Sequence, residues 1–303
     1  MRLNRLDLNL TVSLDALLAE RNVSHAATRL FVSQPAMSIA LRKLRQHFED
    51  ELLVKIGRGY RLTPFAEALK KPVRDAVLQL QAISGLRPMF DPATSRRSIT
   101  ITGSDYVMTV YAARALERVH AQAPGLQITL RTIDPHYLED LDSGEVDLLI
   151  IPETLASTEH PRHALFTDTF SCIVWKGNTK VKRTLSRAQY LRLGHVTTEW
   201  DGGRLAGLDE IELHRLGCER RREVVLSSFS MAAQMVVGTS RIATVQTQLA
   251  HAMAPRWPIR VLRCPIPLPP IVEMIQWHKY QERDPAILWL IDMLKTVAGE
   301  LNP

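Results

Sequence analysis

Residues 25–45 constrain the fold of this chain more tightly than any other stretch. Ser24 is placed to cap a short helix that ends near residue 30, and Ser33 is placed to cap a second helix over residues 34–48. Pro35 is compatible with this because it falls in the first turn of the second helix. Since only a brief turn separates the two helices, the pattern predicts a helix-turn-helix.

Two further elements complete a small N-terminal domain. Leucines recur near helical spacing over residues 8–18, and residues 52–54 and 60–62 have the pattern of two strands joined as a hairpin. The hairpin tip is Gly57-Arg58-Gly59. We therefore predict that residues 1–64 form an all-α winged helix-turn-helix domain.

The second helix of this motif has two faces of different chemistry. One stripe is apolar and is expected to pack inward, and it consists of Met37, Ala40, Leu41, Leu44 and Phe48. The opposite stripe is polar and consists of Gln34, Ser38, Arg42 and Arg45. Because glutamine can pair with adenine through two hydrogen bonds and serine can read several bases, this stripe suits the DNA major groove.

Basic side chains near this face predict contacts with the DNA backbone. Arg42, Lys43 and Arg45 lie further along the helix, where phosphates are the expected target, and Arg58 suits the minor groove or the backbone. The chain has a formal net charge of +6, and its first 64 residues carry ten basic and six acidic side chains. A generic three-helix bundle with a solvated basic face would have the same composition, so the residue chemistry alone leaves both readings open.

The order and spacing of residues 6–64 resemble the DNA-binding domain of LysR-type transcription regulators. The matching residues are Ala26-Ala27, Leu30, Ser33-Gln34-Pro35-Ala36-Met37-Ser38, Leu41, Leu44, Asp50, Leu52-Leu53 and Leu62-Thr63-Pro64. The resemblance implies that Gln34, Pro35 and Ser38 approach bases and that Arg58 is the wing contact. Ile39 departs from the basic residue that many members have there. The full set of expected DNA-binding residues is Ser24, His25, Ser33, Gln34, Pro35, Ser38, Arg42, Lys43, Arg45 and Arg58.

A long amphipathic helix follows, and then the pattern changes. Thr63 and Pro64 begin a helix that runs to about residue 83 with Pro72 inside it, and we assign residues 65–88 to a linker and dimerisation helix. From residue 97 strands alternate with helices, which predicts βαβ units and a mostly parallel sheet. Residues 165–175 and 271–278 read as single strands, and residues 285–298 as a final helix.

The LysR resemblance extends more weakly through residues 97–303. Residues 141–150 are similar to the segment before a central strand in LysR-type and periplasmic-binding-protein-like domains, which implies an α/β sensor of two lobes with a ligand cleft between them. We assign residues 97–166 and 271–303 to lobe one, and residues 167–270 to lobe two. Ligands of open α/β sheets bind beyond the carboxyl ends of the strands. The expected effector-binding residues are Ser104, Asp105, Tyr106, Tyr111, Thr169, Phe170, His195, Asp201, Arg204 and Thr244.

Several of these residues have a structural alternative. Asp105 could only cap the helix that follows, His195 could be a packing histidine, and Tyr111 could belong to the core. Arg204 could be an exposed loop charge, or it could pair with a carboxylate of the effector.

The effector class follows from resemblance alone. Residues 6–10 together with Ile275-Gln-Trp-His-Lys-Tyr280 resemble the branch of nodulation regulators and aromatic-catabolism activators. This implies an aromatic compound or aromatic acid as the effector. A non-aromatic metabolite, or regulation without any small molecule, remains an alternative.

The remaining features define the expected function class. The chain has no Walker loop, no GxGxxG after a strand, no GxSxG and no HExxH, so we expect a regulator and not an enzyme. Cys172, Cys218 and Cys264 lack metal-ligand spacing, so we expect no metal site and no cofactor. The N-terminus lacks the pattern of a signal peptide, and a cytoplasmic protein is expected. The expected partners are double-stranded DNA with an inverted-repeat operator, a small-molecule effector, further copies of the chain as a homodimer or homotetramer, and RNA polymerase, but no membrane.

Overall fold

The computed structural model describes residues 7–56, 59–85, 90–200 and 205–301. The chain divides into an N-terminal unit that ends at Leu86 and a C-terminal unit that begins at Arg87. No helix of the described ranges is long and apolar enough to cross a membrane.

The N-terminal unit contains helices and one hairpin. The helices are α1 (Leu8–Glu20), α2 (Val23–Arg29), α3 (Gln34–Phe48) and α4 (Pro64–Gly85), and the antiparallel strands are β1 (Leu53–Ile56) and β2 (Gly59–Leu62). Apolar faces of these helices meet in one core, which includes Leu14, Leu17, Met37, Leu44 and Leu52. Met37 and Leu44 come from the stripe of α3 that was predicted to pack inward.

Side-chain caps determine where the helices of this unit begin. The predicted cap of α3 is confirmed, because Ser33 Oγ accepts the N–H of Ala36 at 3.3 Å. The predicted cap at Ser24 is wrong. Asn22 caps α2, and its Oδ1 accepts the N–H groups of Ser24 at 2.8 Å and His25 at 3.2 Å.

The C-terminal unit is built on two mixed sheets. The first contains β3 (Ser98–Gly103), β4 (Gln127–Thr132), β5 (Leu148–Pro152), β6 (Arg162–Asp168) and β13 (Ile271–Trp277), in the order β4-β3-β5-β13-β6. The second contains β7 (Phe170–Trp175), β8 (Gly194–Trp200), β10 (Arg221–Leu226), β11 (Ile242–Gln246) and β12 (Ile259–Arg263), in the order β10-β8-β11-β7-β12, and β9 (Leu205–Ala206) pairs with β8.

Helices cover these sheets. They are α5 (Asp105–Val107), α6 (Ala113–Gln122), α7 (Tyr137–Asp142), α8 (Arg187–Arg192), α9 (Leu208–Arg215), α10 (Ala232–Val236), α11 (Thr247–Met253) and α12 (Pro285–Leu301). A π-helical turn, Met108–Ala112, joins α5 to α6. One continuous apolar core runs from Ile99 and Ile101 of the first sheet to Ala243 and Val245 of the second. The two sheets therefore define two lobes that pack directly on each other.

The expectation of a mostly parallel sheet is wrong. In the first sheet β3 pairs parallel with β4 and β5, but β13 pairs antiparallel with β5 and β6. In the second sheet β8 pairs parallel with β10 and β11, but β7 pairs antiparallel with β11 and β12. The predicted single strand over residues 165–175 is β6 followed by β7, and it is split at Thr169. The chain crosses between the lobes there and again between β12 and β13. The strands that follow these two crossovers, β7 and β13, run opposite to both of the strands that they pair with.

Candidate functional site

The exposed face of α3 carries most of the predicted DNA-binding residues. Gln34, Pro35, Ser38, Arg42 and Lys43 are exposed, and so are Ser24, His25 and Ser33 before them. Ser38 and Arg42 lie four residues apart, which places them on adjacent turns of one helix face. The structure thus presents amide, hydroxyl and basic groups together on one side of this unit.

Arg45 does not share this arrangement. Its Nε donates to the carbonyl oxygen of Glu51 at 2.7 Å, and its Nη2 donates to the carbonyl oxygen of Leu53 at 2.7 Å. The guanidinium also lies 3.1 Å from the carboxylate of Glu51. The prediction that the guanidinium of Arg45 faces outward is therefore wrong. This group connects α3 to the start of the hairpin through hydrogen bonds. Arg58, the expected wing contact, lies outside the described residues.

Sequence reasoning missed one exposed side chain beside this face. Phe31, in the turn between α2 and α3, is 97% exposed and has a backbone φ of 55°. A phenylalanine rarely adopts this left-handed conformation, so the turn holds an apolar ring outward at a conformational cost. The signal in the sequence was an aromatic residue in a turn that normally favours small or polar residues.

A cavity lies between the two lobes of the C-terminal unit. Its volume is about 40 Å³, and it opens where parallel strands of both sheets end. Lobe one contributes Ser104, Ile133, Pro152, Leu155, Ile271 and Glu273, and lobe two contributes Phe170, Trp200, Ala206, Gly207, Leu208, Asp209, Phe229 and Gln246. Most of this lining is apolar, and three of its side chains are aromatic. Of the residues expected to bind the effector, Ser104 and Phe170 are in this lining.

Two residues of the lining each have a buried polar atom that lacks a partner in the part of the chain that the structure describes. Glu273 is 2% exposed and Gln246 is 4% exposed, and the Glu273 Oε2 and Gln246 Oε1 atoms are buried without a hydrogen-bond partner among the described residues. Burial, together with the smaller effect of the nearby Asp168 carboxylate, raises the pKa of Glu273 to about 8. Glu273 is therefore protonated at neutral pH and can donate a hydrogen bond.

Asp105 joins the two lobes beside the cavity. Its carboxylate accepts the Ser228 hydroxyl at 2.7 Å, the Phe229 N–H at 3.0 Å and the Ser230 N–H at 2.8 Å. Asp105 follows β3 of the first sheet, whereas residues 228–230 follow β10 of the second. The cap of the helix after β3 is Ser104, whose Oγ accepts the N–H of Val107. Asp105 therefore stabilises the contact between the lobes. The alternative prediction, that Asp105 only caps the following helix, is wrong.

Tyr106 and Tyr111 are buried in the apolar core and are not in the cavity lining. The Tyr106 hydroxyl donates to Asp168 at 2.8 Å, and Asp168 also accepts the Gln248 N–H of lobe two at 3.1 Å. Burial raises the pKa of Tyr106 well above its usual range. The Tyr111 hydroxyl donates to the carbonyl oxygen of Leu294 at 2.5 Å. The expectation that Tyr111 faces the cleft is therefore wrong, and the alternative of a core position holds.

His195 and Thr244 belong to a buried polar cluster around Arg220. His195 Nε2 lies 2.6 Å from the carbonyl oxygen of Tyr190, and Thr244 Oγ1 lies 2.8 Å from the Tyr190 hydroxyl. Burial lowers the pKa of His195 to about 4, so its ring is neutral at neutral pH. Arg220, whose side chain is 1% exposed, lies 2.7 Å from the Asp209 carboxylate. His195 and Thr244 are thus behind the cavity wall that Asp209 forms, and the packing alternative for His195 holds.

The other expected effector-binding residues lie elsewhere. Thr169 is exposed, and its hydroxyl lies 2.9 Å from that of Thr247, at the strand crossover outside the cavity lining. Asp201 and Arg204 are not among the described residues. Two acidic residues of the cavity lining, Glu273 and Asp209, were not predicted from the sequence. The signal for Glu273 was a single acid inside the apolar strand Ile271–Trp277.

One group of side chains in lobe one resembles a metal site in composition. The candidate ligand atoms of Asp142, His160 and His278 all lie within 4.8 Å of one another. His160 Nδ1 accepts the Lys279 N–H at 3.4 Å, and His160 Nε2 lies 2.6 Å from Asp142 Oδ1. Both ring nitrogens of His160 therefore have a hydrogen-bond partner within the protein, which accounts for the close approach of these side chains.

Comparison with known proteins identifies both units. Residues 8–67 match the bacterial regulatory helix-turn-helix protein, lysR family, and residues 92–299 match the LysR substrate binding domain. Nodulation protein D of Bradyrhizobium sp. (strain ANU 289) is 39% identical over 99% of this chain and 89% of its own length. Nodulation protein D 2 of Rhizobium tropici is 40% identical over 97% of this chain and 93% of its own length.

Solved structures have the same architecture. Full-length CbnR in complex with its target DNA aligns over 96% of this chain and 100% of its own, with a TM-score of 0.61 and 19% identity. A full-length OxyR variant from Pseudomonas aeruginosa aligns over 97% of this chain and 94% of its own, with a TM-score of 0.71 and 18% identity. At these identities the structural likeness supports the fold, whereas the sequence matches carry the family assignment. The chain belongs to the LysR family, and it is a transcription regulator, not an enzyme, with a helix-turn-helix DNA-binding domain and an effector-binding domain.

Proposed function

We propose that the effector of this regulator is a small aromatic compound that binds between the two lobes. The observation that carries this proposal is the cavity lining, where Phe170, Trp200 and Phe229 surround an apolar space. Trp200 and Phe229 are in edge-to-face contact with ring centroids 5.1 Å apart, so an aromatic ligand would meet ring edges and faces at once. The similarity to nodulation protein D supports the same branch of the family.

Effector binding is proposed to separate the lobes. A cavity of about 40 Å³ accommodates a few water molecules but not an aromatic ring. A ligand that binds there must therefore favour a conformation in which the lobes are further apart, and it shifts the population toward that conformation. The change would alter the spacing of the DNA-binding domains in the assembled regulator.

Tryptophan fluorescence tests the aromatic effector. A panel of aromatic acids, phenols and aromatic ketones is titrated into the full-length protein. A Trp200→Phe variant is the control, because it tests whether the change in fluorescence comes from the tryptophan in the cavity lining. At least one compound should quench the wild-type emission with saturation, and the Trp200→Phe variant should lose most of that signal. If no aromatic compound saturates the signal while a non-aromatic metabolite does, the aromatic class is wrong.

On the DNA side, we propose that α3 reads bases through Gln34, Pro35 and Ser38. Arg42 and Lys43 would bind phosphates, with Ser24, His25 and Ser33 near the backbone and Arg58 on the wing. The exposure of the α3 residues supports this assignment. Selection of genomic fragments on purified protein, followed by sequencing, should enrich one inverted-repeat site. Gln34→Ala should lower affinity for that site more than affinity for random DNA, and equal losses would contradict base reading.

We further propose a homotetramer of two dimers that acts on RNA polymerase in the cytoplasm. The assignment of both units to the LysR family supports this proposal. Light scattering of the purified protein should give four times the chain mass. A mass of one chain at micromolar concentration would contradict the assembly.

A further inference from the structure

We infer that Glu273 and Gln246 are the two side chains that recognise the effector, and that they select an uncharged ligand with one hydrogen-bond acceptor and one hydroxyl donor. This inference rests on the proposed binding of an aromatic effector in the cavity. Beyond that proposal, the inference names the two residues that determine specificity and states that the ligand is uncharged.

The geometry of the two groups supports this role. Glu273 comes from β13 of lobe one and Gln246 from the end of β11 of lobe two, so a ligand bound to both would contact both lobes. A buried polar atom without a partner is rare in a folded protein, because its desolvation is not compensated. The cavity lining contains two such atoms, Glu273 Oε2 and Gln246 Oε1. The carboxylates of Asp168, which is buried, and Asp105, which is partly buried, each accept several hydrogen bonds from protein donors.

Hydrogen-bond chemistry gives the ligand class. A protonated carboxyl group at Glu273 donates, so the ligand needs an acceptor such as a carbonyl oxygen. Gln246 Oε1 accepts, so the ligand needs a donor, and a hydroxyl group supplies one to an uncharged aromatic ring. Two observations disfavour an anion: no Lys, Arg or His is present among the described residues of the lining, and Asp209 and Glu273 are acids. Burial of a carboxylate there would lack a cationic partner.

Burial is the main cause of the raised pKa of Glu273, and a carboxylate that faces it adds to this effect. The Asp168 carboxylate lies on the neighbouring strand β6 and the Tyr106 hydroxyl bonds to it, while Asp209 across the cavity is paired with Arg220. Asp168 thus holds a negative charge near Glu273 and disfavours a second one.

The test uses two probes that share one ring. These are para-hydroxyacetophenone, which is uncharged and has a ketone acceptor, and para-hydroxybenzoate, which is an anion at neutral pH. Calorimetric titration of the full-length protein near neutral pH should give at least tenfold tighter binding of the ketone. Glu273→Gln keeps a donor and should bind the ketone within about threefold of wild type. Glu273→Leu and Gln246→Leu should each weaken it at least tenfold, whereas the remote, exposed Glu300→Gln should have no effect.

The outcomes separate this inference from the proposed function. If the ketone binds and neither leucine variant weakens it, the assignment of Glu273 and Gln246 is overturned while the aromatic effector stands. If the benzoate binds as tightly as the ketone, the selection for an uncharged ligand is overturned. If neither compound binds to a preparation that still binds its operator, this inference is overturned, and the fluorescence panel decides separately whether the effector is aromatic.

Discussion

Replacement of Asp105 by alanine should loosen the contact between the lobes without unfolding either lobe. A single carboxylate accepts three hydrogen bonds across that contact, from the Ser228 hydroxyl at 2.7 Å and from the N–H groups of Phe229 at 3.0 Å and Ser230 at 2.8 Å. A hydrogen bond to a charged group contributes about 1.5–3 kcal/mol. Because the three bonds share one acceptor group and the freed donors gain water, we expect a net loss of about 2–4 kcal/mol rather than the sum.

This loss of interaction free energy increases the population of the open arrangement of the lobes, which can be measured. At about 1.4 kcal/mol per factor of ten, the open arrangement of the lobes should become about 30-fold to about 1000-fold more populated. Amide hydrogen exchange reports the opening directly, because Phe229 and Ser230 donate to Asp105 in the closed arrangement. Their exchange should accelerate by that factor in Asp105→Ala, while the amides of strand β11 in the core of lobe two should be unchanged.

A matched control isolates the effect of the contact. Asp134 is a loop aspartate of the same lobe whose carboxylate accepts the local N–H of His136, at 2.7 Å, so Asp134→Ala should leave exchange at residues 229 and 230 unchanged. Asp105→Asn keeps one acceptor oxygen and should give an intermediate acceleration. If a folded Asp105→Ala protein exchanged Phe229 and Ser230 within about threefold of wild type, the lobes would be held by apolar packing and the reasoning would be refuted.

Other perturbations test the remaining assignments. Arg45→Ala should lower the stability of the DNA-binding domain by about 2–3 kcal/mol in thermal unfolding, because two backbone acceptors lose a charged donor, whereas Lys43→Ala should change it little. Arg42→Ala and Lys43→Ala should each reduce by about 1 the slope of log affinity for DNA against log salt, and an unchanged slope would exclude phosphate contacts. Arg220→Ala should destabilise the effector-binding domain by about 3–5 kcal/mol in denaturant unfolding, because it leaves Asp209 buried and unpaired, and a loss below about 1 kcal/mol would contradict this. Since the pKa of Glu273 is raised to about 8, the folded state binds more protons than the unfolded state between about pH 5 and pH 8, so wild-type stability should fall relative to Glu273→Gln as pH rises through this range.

The sequence predicted those features that local chemistry decides. Ser33 was identified as a cap because its neighbours, Gln34 and Pro35, are typical of a first helical turn, and α3 begins there. Ser24 was misassigned because Asn22 two residues earlier is an equally good cap, and only burial of Ala26 against the core distinguishes the two starts. Arg45 could not be placed from the helix face alone, since its partners are carbonyl oxygens of a loop that packs against it.

The effector cavity was harder to predict because it is formed by tertiary contacts. Ser104 was predicted correctly because it follows the carboxyl end of β3, where ligands of open α/β sheets bind. Phe170 was predicted correctly because it lies where the chain crosses from lobe one to lobe two. His195 and Thr244 also lie on strands of lobe two, but their side chains point to the Arg220 cluster, and a strand assignment without register does not distinguish the two faces. Glu273 was missed because one acid in a strand is normally solvent-exposed, and its burial depends on packing that residues 271–277 alone do not reveal.

The distribution of hydrogen bonds among the acids of this domain bears on how a ligand could act. Asp105 and Asp168 each accept donors from lobe two, so separation of the lobes costs those bonds. Glu273 Oε2 and Gln246 Oε1, by contrast, have no hydrogen-bond partner within the described ranges, and a molecule that enters the cavity can supply one. A ligand that bridges Glu273 and Gln246 would therefore replace contacts between the lobes by contacts through itself. It follows that binding energy and lobe separation are coupled at this cavity, so Asp105→Ala, which favours the open arrangement, should raise the apparent affinity for the effector.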